Sequence, residues 1–216
     1  MKIILVEGIT DVNLVRYIYS KMKEEYNFDD FEATKRGKIV TFKNRYKRNL
    51  SIINLKGQDN LIFALQEIIK PIESEISKLG IITDADKNFE QSANIVTKSI
   101  AIAKLDKTKI SSFLTPNNKD LGNLETLLLS SLDRENIPQL QCFKEYKECL
   151  SKNISNIEKR AIDKHEVEAY IKFSQKPRNK NQAQFSFVDN GEETGLWDLS
   201  KREFQPIIQF VESIFN

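Results

Sequence analysis

Two short, mostly apolar segments in the first half of the chain are each followed at once by carboxylates. The segments are residues 3–6 and 79–83, and the acids that follow them are Glu7, Asp11, Asp84 and Asp86. Continuous apolar runs of this length are typical of strands buried on both faces of a parallel sheet. Because the carboxyl ends of such strands border the crevice in which open α/β sheets bind ligands, we expect these acids to gather at one edge of a sheet.

Strand-like and helix-like patterns alternate through the first half of the chain. Apolar residues recur at helical spacing over 11–26, 61–69 and 88–105, between strand-like segments at 3–6, 51–55, 79–83 and 109–114. Strands separated by helices in this way predict right-handed βαβ crossovers. The sequence therefore predicts an α/β fold with a mainly parallel, four-stranded sheet flanked by helices. The basic segment around Gly37 is expected to add one or two short strands.

The pattern changes after Pro116, where helical periodicity takes over. It covers 124–132, 138–150, 154–173 and 205–215, and residues 174–190, rich in Lys, Asn and Gln, are typical of an exposed loop. We therefore expect an α/β core over residues 1–120 and a mostly helical C-terminal extension over 121–216 that packs on it.

Composition narrows the class of protein. A chain of 216 residues with 40% hydrophobic content is long enough to bury a good core. Cys142 and Cys149 lie about two turns, or roughly 10 Å, apart on a predicted helix, too far to form a disulfide, so we expect reduced thiols in the core. The sequence has no apolar run of membrane-spanning length, and its N-terminus reaches a charge too early for a signal peptide. We expect a cytoplasmic protein with no membrane contact.

Positive charge is concentrated in one segment although the net charge is only +2. Between residues 35 and 48 there is no acidic residue, and the basic ones are Lys35, Arg36, Lys38, Lys43, Arg45, Lys47 and Arg48. One interpretation is a stripe that faces nucleic-acid phosphates, with Phe42 and Tyr46 interleaved. The other is a solvated hairpin edge on which lysines prevent aggregation.

The acids have the chemistry of a divalent-cation site. Asp84 and Asp86, two residues apart on an extended segment, are expected to point to the same side and share a metal ion. Asp11 falls in the first turn of a predicted helix, where a carboxylate is also favoured by the helix dipole, so it is either a helix-start residue or a metal ligand. Mg²⁺ or Mn²⁺ would suit such oxygen ligands and keep waters that substrate phosphates replace. Two metals, or one metal with Glu7 as general base, are both open.

These motifs resemble a known domain. Val6-Glu7-Gly8-x-x-Asp11 followed by Asp84-x-Asp86 resembles the Rossmann-like TOPRIM domain of topoisomerases, bacterial primases and OLD-family nucleases, over about residues 2–132. The resemblance implies that Glu7 acts as general acid or base and that the two aspartates hold Mg²⁺. Many members carry a glycine after Asp-x-Asp, where this chain has Lys87.

A second stretch narrows the resemblance. Gly122-Asn123-Leu124-Glu125 with the leucines after it, and the later Trp197-Asp198-Leu199, look like small stand-alone prokaryotic TOPRIM-like proteins related to the OLD nucleases. The likeness implies that Glu125 is a further metal ligand. It also implies that a lysine of the helical part, Lys164 or Lys172, serves phosphate or transition-state charge.

Three functions remain open on these residues. The leading hypothesis is a Mg²⁺-dependent nuclease or related phosphodiester-processing enzyme acting on DNA or RNA. Since no phosphate-binding Gly-x-x-x-x-Gly-Lys-Ser/Thr motif occurs, an ATPase would be a separate protein, and no tyrosine stands out as a topoisomerase nucleophile. The alternatives are a TOPRIM-fold binding or regulatory subunit, for example in phage defence, and a haloacid-dehalogenase-type phosphatase, which needs Asp84 on the first core strand. His165, the only histidine, is expected to be a solvated helix residue.

Overall fold

The computed structural model describes residues 1–36, 39–154, 159–174, 187–189 and 192–216. Its centre is a six-stranded mixed sheet made of β1 (Lys2–Val6), β2 (Phe31–Arg36), β3 (Ile39–Asn44), β4 (Leu50–Asn54), β5 (Lys78–Asp84) and β6 (Ile110–Thr115). The strand order is β2-β3-β4-β1-β5-β6. Four neighbouring strands run parallel to one another, in the order β4, β1, β5 and β6. At the β4 edge, β3 pairs antiparallel with β4, and β2 pairs antiparallel with β3.

The α/β class and the flanking helices are confirmed, whereas the sheet has six strands rather than four. The two added strands come from the basic segment, where one or two short strands were expected: β2 and β3 have six residues each and extend the sheet beyond β4. β3 pairs antiparallel with β4 from Val40 opposite Asn54 to Lys43 opposite Ser51. Phe31 and Phe42 of this hairpin are buried in one apolar cluster and Ile39 in the other, and this burial holds the added strands in register.

Helices cover both faces of the sheet, because successive residues of each strand point to opposite sides. Ile4 and Val6 of β1 pack in one apolar cluster, and Ile3 and Leu5 in another. The first cluster includes side chains of α1 (Ile9–Met22), α4 (Leu124–Ser130), α5 (Pro138–Asn153), α6 (Lys159–Ser174) and α7 (Gln205–Phe215). The second lies under α2 (Leu61–Ala64) and α3 (Phe89–Ile102).

The helix expected over residues 61–69 changes pitch along its length. α2 is followed by a π-helical turn, Leu65–Ile69, and by a 3-10 segment, Lys70–Glu75. Pro71 has no N–H to donate, so a regular α-helix does not continue through it. The chain then enters β5.

The C-terminal helix packs directly on the sheet. α7 matches the helix expected over 205–215, and it crosses β1 and β5. Lys2 Nζ donates hydrogen bonds to the carbonyl oxygens of Phe215 and Asn216, at 3.1 and 2.6 Å. Trp197 and Phe204 are buried in the same cluster as Ile4, so apolar residues from both halves of the chain share one core.

Other parts of the C-terminal half differ from expectation or fall outside the description. Cys142 and Cys149 are free but exposed, not in the core, because Leu140 is the residue of α5 that is buried. β7 (Val188–Asp189) and β8 (Glu192–Glu193) form a small hairpin.

Most of the loop expected at 174–190, and residues 155–158 of the helix expected at 154–173, lie outside the described residues. In the part of the chain that is described, no helix is both long and apolar enough to cross a membrane.

Candidate acidic site at the carboxyl edge of the sheet

The topology creates a crevice at the carboxyl ends of β1 and β5. From β1 the chain passes through α1 and the basic hairpin to β4 on one side, and from β5 it passes through α3 to β6 on the other. Where neighbouring parallel strands send their connections in opposite directions, the sheet leaves an opening that α/β proteins use for ligands. Glu7 directly follows β1, and Asp84 ends β5.

Four of the acidic residues singled out in the sequence line one cavity in this crevice, of about 360 Å³. They are Glu7, Asp11, Asp84 and Glu125. Glu7 is at the end of β1, Asp11 and Glu125 are in the first turns of α1 and α4, and Asp84 is at the end of β5. The Asp84 backbone N–H donates to Glu7 Oε2 at 3.4 Å, so acids distant in the chain meet at the sheet edge. We call this space the acid cavity.

Asp84 is held in place by neighbouring elements. Its side chain is buried, and Oδ1 accepts hydrogen bonds from Thr115 Oγ1 at 2.7 Å and from the Leu124 backbone N–H at 3.3 Å. Thr115 belongs to β6, and Leu124 opens α4. Because a buried carboxylate is costly unless donors surround it, these bonds fix the position of the Asp84 side chain.

Asp11 has two roles in the structure. Its Oδ2 accepts a hydrogen bond from the Gly8 backbone N–H at 2.9 Å, which caps the start of α1. The pKa of the Asp11 carboxyl is raised well above its ordinary value. Burial is the main cause, and the negative charges of Asp84 and Glu7 raise it further. Asp11 is therefore a helix-start residue and, at the same time, part of the charge of the acid cavity.

Asp86 lies apart from these four residues. It lines a second cavity, of about 560 Å³, together with residues of α3. Its backbone adopts a left-handed conformation, with φ of 50°, and pairs with Gly122 through hydrogen bonds of 2.7 and 3.0 Å. An extended backbone through residue 86 would place the side chains of Asp84 and Asp86 on the same side. The positive φ breaks that alternation and places Asp84 and Asp86 in different cavities.

The donor set of the acid cavity suits a hard cation, although the side chains are not closed around one. In the described ranges, no group of three or more His, Cys, Asp or Glu residues is arranged to hold a metal ion. All four acidic groups nevertheless offer the oxygen ligands that Mg²⁺ prefers, and Mg²⁺ keeps several waters instead of requiring a full protein cage. Burial is the main cause of the raised pKa of Asp11, and the charges of Asp84 and Glu7 raise it further; a bound cation would offset those charges.

Lys56 also lines the acid cavity, and the sequence interpretation missed it. It follows β4 in a left-handed conformation, with φ of 58°. Positive φ is uncommon outside glycine and clusters at functional sites. The available signal was a Lys-Gly pair directly after the apolar segment 51–55, in a position equivalent to that of the acids after the other strands.

The basic segment is divided between the two ends of the sheet. Lys35 is opposite Val40, which is opposite Asn54, and Asn54 itself lines the acid cavity. Lys43 is opposite Ser51, further towards the other end of β4. The register therefore brings only the tip of the hairpin to the edge where the acids lie.

The remaining basic candidates follow the same division. Arg45, Lys47 and Arg48 lie in the turn between β3 and β4, at the end of the sheet away from the acids, and Lys47 Nζ donates to the Tyr26 hydroxyl. Arg36 is the last residue of β2, at the tip end, while its side chain and Lys38 fall outside the described positions. The described side chains of this segment therefore do not form one continuous stripe beside the acid cavity.

The C-terminal lysine candidates are away from both cavities. Lys164 and Lys172 are exposed on α6, and neither lines the acid cavity or the cavity of Asp86. The exposed His165 has Nδ1 3.1 Å from Glu168 Oε2, which agrees with a solvated helix residue. Among the described residues, Lys56 is the basic residue that lines the acid cavity.

Comparison with known families identifies the chain without assigning it an activity. Residues 1–216 match the family model described as "Protein of unknown function (DUF3226)", and the chain belongs to that family. No curated protein and no solved structure matches it.

Proposed function

We propose that this DUF3226 family member is a TOPRIM-like nuclease, dependent on Mg²⁺ or Mn²⁺, that cleaves phosphodiester bonds in DNA or RNA. The observation that carries the proposal is the meeting of Glu7, Asp11, Asp84 and Glu125 around one cavity at the opening of an α/β sheet. The likeness of their motifs to the TOPRIM domain supports the reaction class as an analogy of fold and motif.

The acidic residues would hold the cation in this proposal. Asp84 is fixed by hydrogen bonds, Glu7 and Glu125 line the same cavity, and Asp11 contributes charge. The proposal is compatible with one metal ion or with two. With two, Asp86 would bind the second cation; with one, it would only line the neighbouring cavity. A divalent cation bound there supplies a Lewis acid for a phosphoryl oxygen and lowers the pKa of a bound water.

The other steps belong to the chain itself. Glu7 accepts the proton of the attacking water, because its carboxylate lines the cavity next to the Asp84 backbone N–H. Lys56 contacts a non-bridging phosphate oxygen, the role that the family likeness gave to Lys164 or Lys172. Lys35, at the same end of the sheet, steers the negatively charged strand towards the crevice. A separate ATPase is a possible protein partner, and the cytoplasm is the proposed place of action.

A cleavage assay tests the proposal. Labelled single-stranded and double-stranded DNA and RNA would be incubated with Mg²⁺ or Mn²⁺ and with the wild type, Glu7→Gln or Asp84→Asn. We expect both variants to lose about 100-fold or more in rate, the usual effect of removing acid-base or metal-ligand groups. Glu67→Gln, the same chemical change at an exposed residue of the π-helical turn, should cleave like the wild type. Equal cleavage by all four proteins would contradict the proposal.

A second candidate is a TOPRIM-fold binding or regulatory subunit that needs another protein for activity. It is favoured by the position of Asp86 in a separate cavity and by the lack, in the described residues, of a closed three-ligand cluster. This candidate predicts metal-dependent binding of nucleic acid or of a partner with no turnover at any metal concentration. A haloacid-dehalogenase-type phosphatase is not proposed, because Asp84 ends β5 and not the first core strand.

A further inference from the structure

Asn54, the last residue of β4, is a buried polar side chain that lines the acid cavity. It is only 3% exposed, and its Oδ1 accepts a hydrogen bond from the Lys56 backbone N–H at 2.9 Å. Because that bond assigns the amide oxygen, the other group is the nitrogen Nδ2. Nδ2 donates to no described residue, and it keeps a small accessible surface, unlike the fully enclosed Nε2 of Gln58. A ligand in the cavity could therefore give Nδ2 the acceptor that the chain does not supply.

The sheet holds Asn54 beside Glu7. Asn54 is opposite Val6 in the parallel register of β4 and β1, and neighbouring strands lie about 4.8 Å apart. The chain after Asn54 is bonded to the end of β1, because the Leu55 N–H donates to the Val6 carbonyl oxygen at 2.8 Å and the Gly57 N–H donates to the Glu7 carbonyl oxygen at 3.0 Å. These bonds fix the Asn54 amide next to the backbone of Glu7.

The first turn of α1 adds donors to the same cavity. Ile9 and Thr10 both line it. The first backbone bond of α1 runs from the Val12 N–H to the Gly8 carbonyl oxygen at 3.2 Å, so the N–H groups of Ile9 and Thr10 have no acceptor within the helix. N–H groups at the start of a helix point out of its N-terminal end and favour anions. The acid cavity therefore has N–H donors from β4 and α1 beside the oxygens of its acids.

These donors favour the anionic part of a ligand and not the cation. An amide nitrogen and a backbone N–H only donate hydrogen bonds, so neither offers a metal ion a ligand. Lys56, exposed at the cavity, adds a positive charge two residues from Asn54. The carboxylates repel an anion on its own, whereas a divalent cation bound to them also binds phosphate oxygens. A phosphoryl group with a bound divalent cation satisfies both sets of groups.

We propose that the Asn54 amide, the N–H groups that begin α1 and Lys56 form a phosphate subsite in the acid cavity. Asn54 Nδ2 donates to a non-bridging phosphate oxygen and so positions the phosphorus atom relative to Glu7. The inference rests on the proposed function, because the acids meet a phosphate through the cation. It adds Asn54 as a substrate-binding residue. An internal phosphodiester and a phosphomonoester both offer such oxygens.

Nuclear magnetic resonance tests the subsite with small phosphate compounds. Inorganic phosphate and dimethyl phosphate, a diester, would each be titrated in Mg²⁺ into the isotope-labelled full chain, as wild type, Asn54→Asp and Asn94→Asp. Asp at position 54 keeps an oxygen for the Lys56 N–H but has no N–H to donate, so we expect the variant to fold. Asn94 is exposed on α3 and does not line the acid cavity, so it controls for the chemical change.

We expect the side-chain N–H signals of Asn54, recognised by their absence from Asn54→Asp, to shift downfield with at least one compound. Affinity, followed by the backbone signals of Ile9 and Thr10, should fall about tenfold or more in Asn54→Asp and stay unchanged in Asn94→Asp. A response to dimethyl phosphate indicates a diester as the source of the phosphate. A response to inorganic phosphate alone indicates a monoester or free phosphate.

No binding at millimolar phosphate, unmoved Asn54 signals, or equal affinity in the three proteins would overturn the inference. The cleavage assay fails independently. Shifted Asn54 signals without cleavage of any nucleic acid support the phosphate subsite and reject the nuclease, whereas cleavage with unmoved Asn54 signals does the reverse.

Discussion

At the scale of single residues, Asp11 shows how a helix start and a charged site depend on the same atoms. Its carboxylate caps α1 through the Gly8 N–H, and it is also close to the charges of Asp84 and Glu7. Burial and those charges raise its pKa in the folded protein. A carboxyl group with a raised folded pKa stabilises the fold fully below its unfolded pKa, and that contribution is lost as pH rises through the folded pKa.

The first prediction concerns Asp11→Asn. In EDTA, the melting temperature of the wild type should fall relative to that of the variant as pH rises from about 4 towards neutrality, because only the wild type must ionise Asp11 beside two other carboxylates. Asn keeps an oxygen for the Gly8 N–H but carries no charge, so the variant should lose less stability and melt higher at pH 7. Melting temperatures across this pH range would check it. If the melting temperatures of the two proteins changed with pH in the same way, ionisation of Asp11 would not be destabilising the fold.

The second prediction concerns Gly122, whose φ of 139° suits glycine and whose added Cβ would lie 2.7 Å from Thr126 Oγ1. Gly122→Ala should lower the free energy of unfolding in urea by about 1–3 kcal/mol, from backbone strain and this clash. Gly195→Ala is the matched control, because Gly195 also has positive φ, of 68°, but nothing within 4 Å of the added Cβ. Equal losses in the two variants would mean that contact with Thr126 is unimportant.

At the scale of elements, the apolar pattern predicted where the strands end. It did not predict the backbone conformation of the residues that follow them. The apolar segments after which Glu7 and Asp84 stand are β1 and β5, and adjacent parallel strands bring their ends together. The separation of Asp86 from Asp84 depends on a left-handed residue and on pairing with Gly122, a residue distant in the chain. The place of Lys56 in the acid cavity was also not predicted, because Lys56 too leaves its strand through a residue with positive φ.

The third prediction concerns the ion pairs that connect α6 to its neighbours. Glu166 is fully buried, pairs with Arg134 before α5, and has Lys147 Nζ of α5 3.6 Å from its Oε2. Arg134→Met should lower the free energy of unfolding in urea by about 3 kcal/mol, because it removes the hydrogen-bonded partner of a buried carboxylate, which Lys147 at 3.6 Å does not replace.

The control for this variant is Arg202→Met. Arg202 is 93% exposed and pairs with Glu203 at the surface. Removing this pair should change the free energy of unfolding by less than about 1 kcal/mol. Similar losses for the two arginine variants would contradict the role given to Glu166.

At the scale of the whole molecule, the two ends of the chain are joined over the sheet that holds the site. Lys2 binds the last two carbonyl groups, and α7 lies against β1 and β5, the strands that carry Glu7 and Asp84. The helix of residues 205–215 was predictable from its periodicity, whereas its place was not, because packing on a distant strand leaves no local pattern. Glycine at position 80 has no side chain, which lets α7 lie close to β5.

The fourth prediction follows from that approach. A Cβ at residue 80 would lie 3.0 Å from Ile214 and 3.3 Å from Ile4 and Phe210. Gly80→Val should therefore destabilise the whole protein by about 1–3 kcal/mol, the usual effect of overpacking a core. Gly80→Ala should lose less, and urea unfolding would compare the two. A valine variant as stable as the wild type would mean that α7 does not pack tightly on β5.

The claim on which the account depends is that acids from distant parts of the chain share one cation. Anomalous diffraction from a crystal soaked in Mn²⁺ measures this directly. We predict an anomalous peak in the acid cavity, within ligand or water-mediated distance of Glu7 and Asp84. A peak only beside Asp86, or no peak in the crevice at saturating Mn²⁺, would contradict the account.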